Sequence, residues 1–272
     1  MEALELTSTW PVATVAAAVV LPDGSAHTIG ATDHSFPIAS VTKMMVGWAT
    51  LIAVEEGIVH LDQPAAQDGC TLRHLLAHAG GYAFDGPNPI AEPGVRRIYS
   101  NTGIELAADV VAKAASMPFA HYLSEAVFEP LRMINTSLHG SAAHGARSTV
   151  ADLVSFLHEL RAPTLLSPAT ALAYRSAQFP ALAGLVPGVG RFDPCPWGLG
   201  TEVRGTKSPH WTGSRNSPAT FGHFGGAGTL LWVDPGAEIA CVALTDRPFD
   251  DWAADALRLW PAFADAILTG AR

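Results

Sequence analysis

Lysine is scarce in this chain: three residues in 272, at Lys43, Lys113 and Lys207. Charged residues of all kinds make up only 15%, and the acidic ones prevail to leave a net charge of −9 with no basic cluster. Such a balance excludes nucleic acid and an anionic membrane surface as expected partners, because both carry the same sign. Cysteine is sparse too. Cys70, Cys195 and Cys241 are far apart, odd in number and without metal-type spacing, which reads as reduced buried thiols rather than a disulfide framework. No apolar run is long enough to span a bilayer. The start, Met1-Glu2, places no Lys or Arg ahead of the first apolar run at 12–21. A secretory signal is therefore not expected, and the expected location is cytoplasmic. Internal repeats and low-complexity linkers are also missing.

What is present is a hydrophobic content of 49%, enough for a sizeable core in one large or two closely packed domains. The run 14–20, the turn Pro22-Asp23-Gly24 and 25–29 predict a β-hairpin. A helix opens at Ser40 and ends near Gly57. Thr71 is placed to cap a short helix stopped by Gly80-Gly81, and residues 82–98, rich in Pro, Gly and Asn, form a loop. Helices are expected at about 104–115, at 119–129 and from Thr149 through 160, where Thr149 caps with Asp152 three residues on. Residues 163–196 carry one short helix near 168–177.

After that the period becomes two. Strands are expected at 197–204 and 218–221, a second hairpin at 229–233 and 238–245, and an amphipathic helix at 251–268. Strands at both ends and helices between them imply an α+β fold. The economical form is one antiparallel sheet built from both chain termini and flanked by helices, with an inserted, mainly helical domain. The division expected is 1–60 with 195–272 for the sheet domain and 61–194 for the helical one, the active site lying at their interface.

The helix from Ser40 is apolar almost all round, which marks it as buried, yet it carries Ser40 and Lys43. Positions three apart touch on a helix. Burial lowers an amine's pKa, and a neutral amine beside a hydroxyl can take its proton. Unpaired N–H groups at the helix start would stabilise an oxyanion formed there. The plainer alternative is a serine that only caps and a lysine that reaches water. His74 and His78 have the spacing of a helical metal pair, but no acidic or third histidine ligand accompanies them, so structural histidines bonding loop backbone are the favoured reading and no metal or cofactor is expected.

Three segments in order, Ser40-x-x-Lys43, Tyr99-Ser100-Asn101 and His223-Phe224-Gly225-Gly226, resemble the signature boxes of the serine β-lactamase and penicillin-binding-protein superfamily. The tyrosine in the middle box is the mark of its class C-related branch, which holds esterases, DD-peptidases and D-aminopeptidases. The resemblance spans roughly residues 14–265. It implies Ser40 as a nucleophile forming an acyl-enzyme and Lys43 as assistant in its deprotonation. It implies Tyr99, phenolate-like near Lys43, as general base and then acid. Asn101 would hold Lys43 and a substrate amide, and His223 would flank the site and hydrogen-bond Tyr99 or a substrate carboxylate. Gly225 and Gly226 would border the substrate, with the N–H groups of Ser40 and Gly226 as oxyanion hole.

Departures from the pattern narrow the expectation. His223 stands where strong β-lactamases usually carry lysine, and neutral histidine attracts a carboxylate less. Arg132 stands where the family commonly has glycine, and no Glu-x-x-x-Asn box is present. The expected activity is hydrolysis of a small ester or amide rather than efficient β-lactam cleavage. A DD-peptidase or β-lactamase, or a non-catalytic ligand-binding member, are the alternatives. The expected partner is a small ester, amide or β-lactam-like molecule.

Overall fold

The computed structural model describes residues 1–271. Its first strand, β1 (Val15–Val20), alternates between two cores: Ala16, Ala18 and Val20 face one apolar cluster, Ala17 and Val19 the other. That is the period of a strand covered on both faces. β2 (Ala26–Gly30) returns beside it as the expected hairpin, and β3 (Phe36–Pro37) leads into a 3-10 turn over Ala39–Val41. Helix α1 (Thr42–Glu55) follows, with every residue from Thr42 to Ala53 buried. α2 (Leu72–Leu76), α3 (Asn101–Ala115) and α4 (Phe119–Leu123) come next, the last continued by a π-helical turn over Ser124–Phe128. β4 (Ser137–Leu138) and β5 (Ala146–Ser148) join β3 in a small sheet, followed by α5 (Val150–Arg161) and α6 (Pro168–Arg175). A small hairpin, β6 (Gly184–Val186) with β7 (Gly190–Phe192), precedes β8 (Glu202–Val203). β9 (Phe221–Gly225), β10 (Thr229–Asp234), β11 (Ile239–Thr245) and α7 (Ala253–Gly270) complete the chain.

The main sheet has the order β2-β1-β11-β10-β9-β8 and every pairing in it is antiparallel. β1 from the N-terminus lies beside β11 from the C-terminus, with Val15 opposite Thr245. The expected α+β architecture, a sheet assembled from both ends of the chain, is the one observed. α7 and the N-terminal 3-10 helix Glu2–Thr9 cover one face. α5 and α1 contribute to the cluster on the other face. The caps expected at Thr71 and Thr149 are formed: Thr71 accepts from the His74 N–H and Thr149 from the Asp152 N–H.

Several expectations shift. α3 starts at Asn101, three residues before the expected 104, because the Ser100 hydroxyl accepts the Gly103 N–H at 2.9 Å and caps it there. The expected strand 197–204 shrinks to Glu202–Val203. The one expected at 218–221 becomes Phe221–Gly225, so the third box lies within a strand rather than before it. Its glycines lower local strand preference, but pairing with β10 decides the outcome. The hairpin of β6 and β7 falls in the stretch 163–196, where only a short helix was expected. Arg132 has φ +56°, the left-handed region where glycine is at ease, which accounts for the family's preference at that position. All three cysteines are free and buried.

Candidate active site

The turn Ile38-Ala39-Ser40 is held in an unusual shape. Ala39 has φ +45°, and the segment rests on β9 and β10, where the Thr229 hydroxyl donates to the Ile38 carbonyl at 3.0 Å. A side chain at Gly225 would place its Cβ 2.6 Å from that carbonyl oxygen. Gly225 is thus the residue that lets β9 approach the turn, and it packs beneath the turn rather than lining the cleft. Strain of this kind persists only where the surroundings over-determine it. The result leaves Ser40 half-buried at the mouth of α1, with its hydroxyl open to a cleft of about 190 Å³. Ser40, Tyr99, Trp197, His223 and Gly226 all line that cleft.

One turn along, Lys43 is fully buried. Its Nζ lies 3.0 Å from Ser40 Oγ, 2.8 Å from Asn101 Oδ1 and 2.9 Å from the Ala143 carbonyl oxygen. It also sits 4.8 Å above the centre of the Tyr99 ring. Burial pushes the amine down to about 7, against the opposing pull of Glu105 and then Asp85. At that value the neutral form is well populated near pH 7. A neutral amine has two hydrogens, and two carbonyl-type oxygens are there to accept them. The lone pair is left for the third neighbour, the Ser40 hydroxyl.

Tyr99 departs from expectation. Burial pushes its phenol well above the usual range, although the Ser40 hydroxyl opposes that, which is the opposite direction from the one a phenolate needs. The nearby lysine favours a phenolate less than an ordinary ammonium would, because its own pKa is depressed. His223 is neutral: burial, then Lys43, push it down to about 3. Its Nδ1 is 2.5 Å from the Phe224 carbonyl oxygen, to which it donates, so Nε2 is the acceptor facing Tyr99 Oη at 3.3 Å. The phenol therefore donates to His223.

The structure brings together Ser40, Lys43, Tyr99, Asn101 and His223, and puts Gly226 on the same cleft. Three further contributors complete the site; two of them, the Ala143 carbonyl and Asp85, carry no sequence signal, and the third, His78, was expected to be a structural histidine bonding loop backbone. The Ala143 carbonyl reaches Lys43 from a loop pinned by Glu105 on α3, which accepts from the Ser141 hydroxyl and, at 3.1 Å each, from the Ala142 and Ala143 N–H groups. A main-chain carbonyl leaves no trace in a pattern of side chains. Asp85 accepts from Asn101 Nδ2 at 3.2 Å and so orients the amide. His78 is the third. Its carbonyl accepts the Ile98 N–H at 2.9 Å, its Nδ1 accepts the Ser100 N–H at 3.1 Å, and its ring lies 4.6 Å from that of Tyr99. It therefore grips the residues on both sides of Tyr99. His74 instead meets Thr71 through Nδ1, at 2.8 Å from the hydroxyl. Among the described residues no group of three or more His, Cys, Asp or Glu could hold a metal ion.

The family model described as Beta-lactamase matches residues 13–262, and the chain belongs to that family. The crystal structure of a beta-lactamase from Mycobacterium bovis is 49% identical, covers 99% of both chains and superposes with a TM-score of 0.96. EstCE1, described as a hydrolase with promiscuous acyltransferase activity, has the same fold at a TM-score of 0.77, with 17% identity over 96% of this chain and 95% of its own. A Beta-lactamase of Yersinia enterocolitica is 25% identical over 45% of each chain. The chain spans less than half the length of the curated relatives it matches. No helix among the described residues is long and apolar enough to cross a membrane.

Proposed function

We propose that the protein is a serine hydrolase that cleaves a small ester or amide through an acyl-enzyme on Ser40. The observation that carries this reading is the Lys43 amine: 3.0 Å from Ser40 Oγ, depressed to about 7, with its two hydrogens occupied at Asn101 and Ala143. Lys43 takes the Ser40 proton as Oγ attacks the carbonyl carbon. The N–H groups of Ser40 and Gly226 receive the developing oxyanion, a contribution worth on the order of 10²–10³ in rate per donor. Tyr99 enters as a neutral acid: it gives its proton to the leaving group and regains one from Lys43. Water then attacks the acyl-enzyme by the same route in reverse roles. This reverses the initial division of labour, in which Tyr99 was the first base.

A second reading, β-lactam hydrolysis, is favoured by the 49% identity to a chain described as a beta-lactamase. A neutral His223 in place of lysine weakens capture of the drug's carboxylate, so slow turnover is expected. Incubation with a fluorophosphonate followed by intact-mass measurement should show one adduct on wild type and none on Ser40→Ala. Short-chain nitrophenyl esters should be turned over by wild type alone. Absence of both adduct and turnover would refute the catalytic reading and leave a ligand-binding module. A chromogenic cephalosporin rate above the ester rate would promote the second reading.

A further inference from the structure

A second hollow, of about 550 Å³, lies beside the cleft at Ser40, and Phe84 and Tyr99, with Pro187, border both. The walls of this hollow are unusual in two independent ways. Phe84, Ile90 and Leu185 line it, yet they are 50%, 56% and 54% exposed. Only seven large apolar side chains are exposed among the described residues, and these are three of them. Apolar surface gathered at one mouth marks a binding site rather than chance exposure. The charge is the second anomaly. In a chain of net charge −9, the hollow is lined by three arginines and no acidic residue. Arg97 is spent, its guanidinium donating to the carbonyls of Ala77, Cys195, Gln178 and Phe179. Arg96 and Arg191 are exposed, and neither is in an ion pair among the described residues.

We propose that this hollow binds the apolar arm of the substrate and that Arg96 and Arg191 receive a carboxylate at its far end, so that the preferred substrate class is an anionic amphiphile: a medium-chain ester or amide with a terminal acid. This rests on the reading of Ser40 as the nucleophile, since the hollow matters to chemistry only as a continuation of that cleft. An uncharged arm fills the apolar wall but leaves both guanidiniums in water, and a cationic arm is repelled.

Binding and turnover can be tested apart. Titration calorimetry on the Ser40→Ala protein, at low salt, would compare decanoate with decyltrimethylammonium. The expected result is decanoate binding about tenfold or more tighter than the cation, with the gap narrowing as salt rises. Arg96→Glu with Arg191→Glu should invert the preference, since the hollow then presents two carboxylates where it had two guanidiniums. Equal binding of the two amphiphiles, or an unchanged preference in the double variant, would overturn the proposal even if acetate is hydrolysed. Loss of acetate hydrolysis in wild type with the decanoate preference intact would instead overturn the catalytic reading alone.

Discussion

At the scale of single residues, the proton inventory decides the chemistry. In the proposed route Lys43 must be unprotonated to accept from Ser40, so turnover should rise with pH through about 7 and fall away below it. Tyr99→Phe should lower the plateau by about 10²–10⁴ as a lost acid while leaving that limb in place. A pH–rate profile of both proteins checks this; a limb that vanishes with the phenol would make Tyr99 the base after all. His78 acts on Tyr99 from behind, through the Ser100 N–H and the ring contact. His78→Leu should cut kcat by up to about 10²-fold through misplacement of the phenol, with KM little changed. His78→Asn, which keeps an acceptor near the Ser100 N–H, should recover much of the loss. A proportional fall in both constants, with no recovery by Asn, would mean that His78 only supports the fold.

At the scale of elements, the site is a contact between one turn and one strand. The turn at Ala39 is left-handed and β9 lies against it only because position 225 has no side chain. Gly225→Ala should therefore destabilise the protein by about 1–3 kcal/mol, the usual penalty of overpacking, and urea melts would register it. Gly47 plays the equivalent part for α1, since a Cβ there would meet the Leu199 carbonyl oxygen at 2.1 Å. That close approach carries the segment containing Trp197 to the back of the Tyr99 ring, 5.5 Å between centroids. The elements bearing Ser40, Tyr99 and His223 are thus fixed by packing against one another rather than by any one of them alone.

At the scale of the whole molecule, a buried ion pair ties the sheet edge to the loop beyond it. Glu202 on β8 meets Lys207 at 2.7 Å and His210 at 3.1 Å, and accepts from Trp211 Nε1 at 2.7 Å. Burial alone would raise the Glu202 carboxyl, but Lys207 and His210 overcome it and hold the group well below the carboxylate range. A depressed carboxyl stabilises the folded state above its ordinary pKa and loses that contribution as pH falls through the folded value. Acid unfolding should therefore come later in wild type than the ordinary carboxylate range suggests. Lys207→Met, which strands a buried charge, should cost about 3–5 kcal/mol. Chemical denaturation at pH 7 measures it, and a change below about 1 kcal/mol would show that the pair carries no net weight.

The sequence by itself determined the main helices, the hairpins of β1 with β2 and β10 with β11, and the order of the three boxes, but not the β6–β7 hairpin or the bounds of β8 and β9. Periods of two and 3.6 are local properties, and so are the caps at Thr71 and Thr149 and the contact of Ser40 with Lys43 across three residues. The architecture followed because the two-residue period recurs at both chain ends. Tertiary structure alone decided which groups hold protons. Lys43 is held by a carbonyl 100 positions away, and Tyr99 by a histidine 124 positions away. Their protonation depends on depth and neighbouring charge, which act through space. No pattern along the chain records how far a phenol lies from water, and that burial is what pushes the Tyr99 phenol up rather than down.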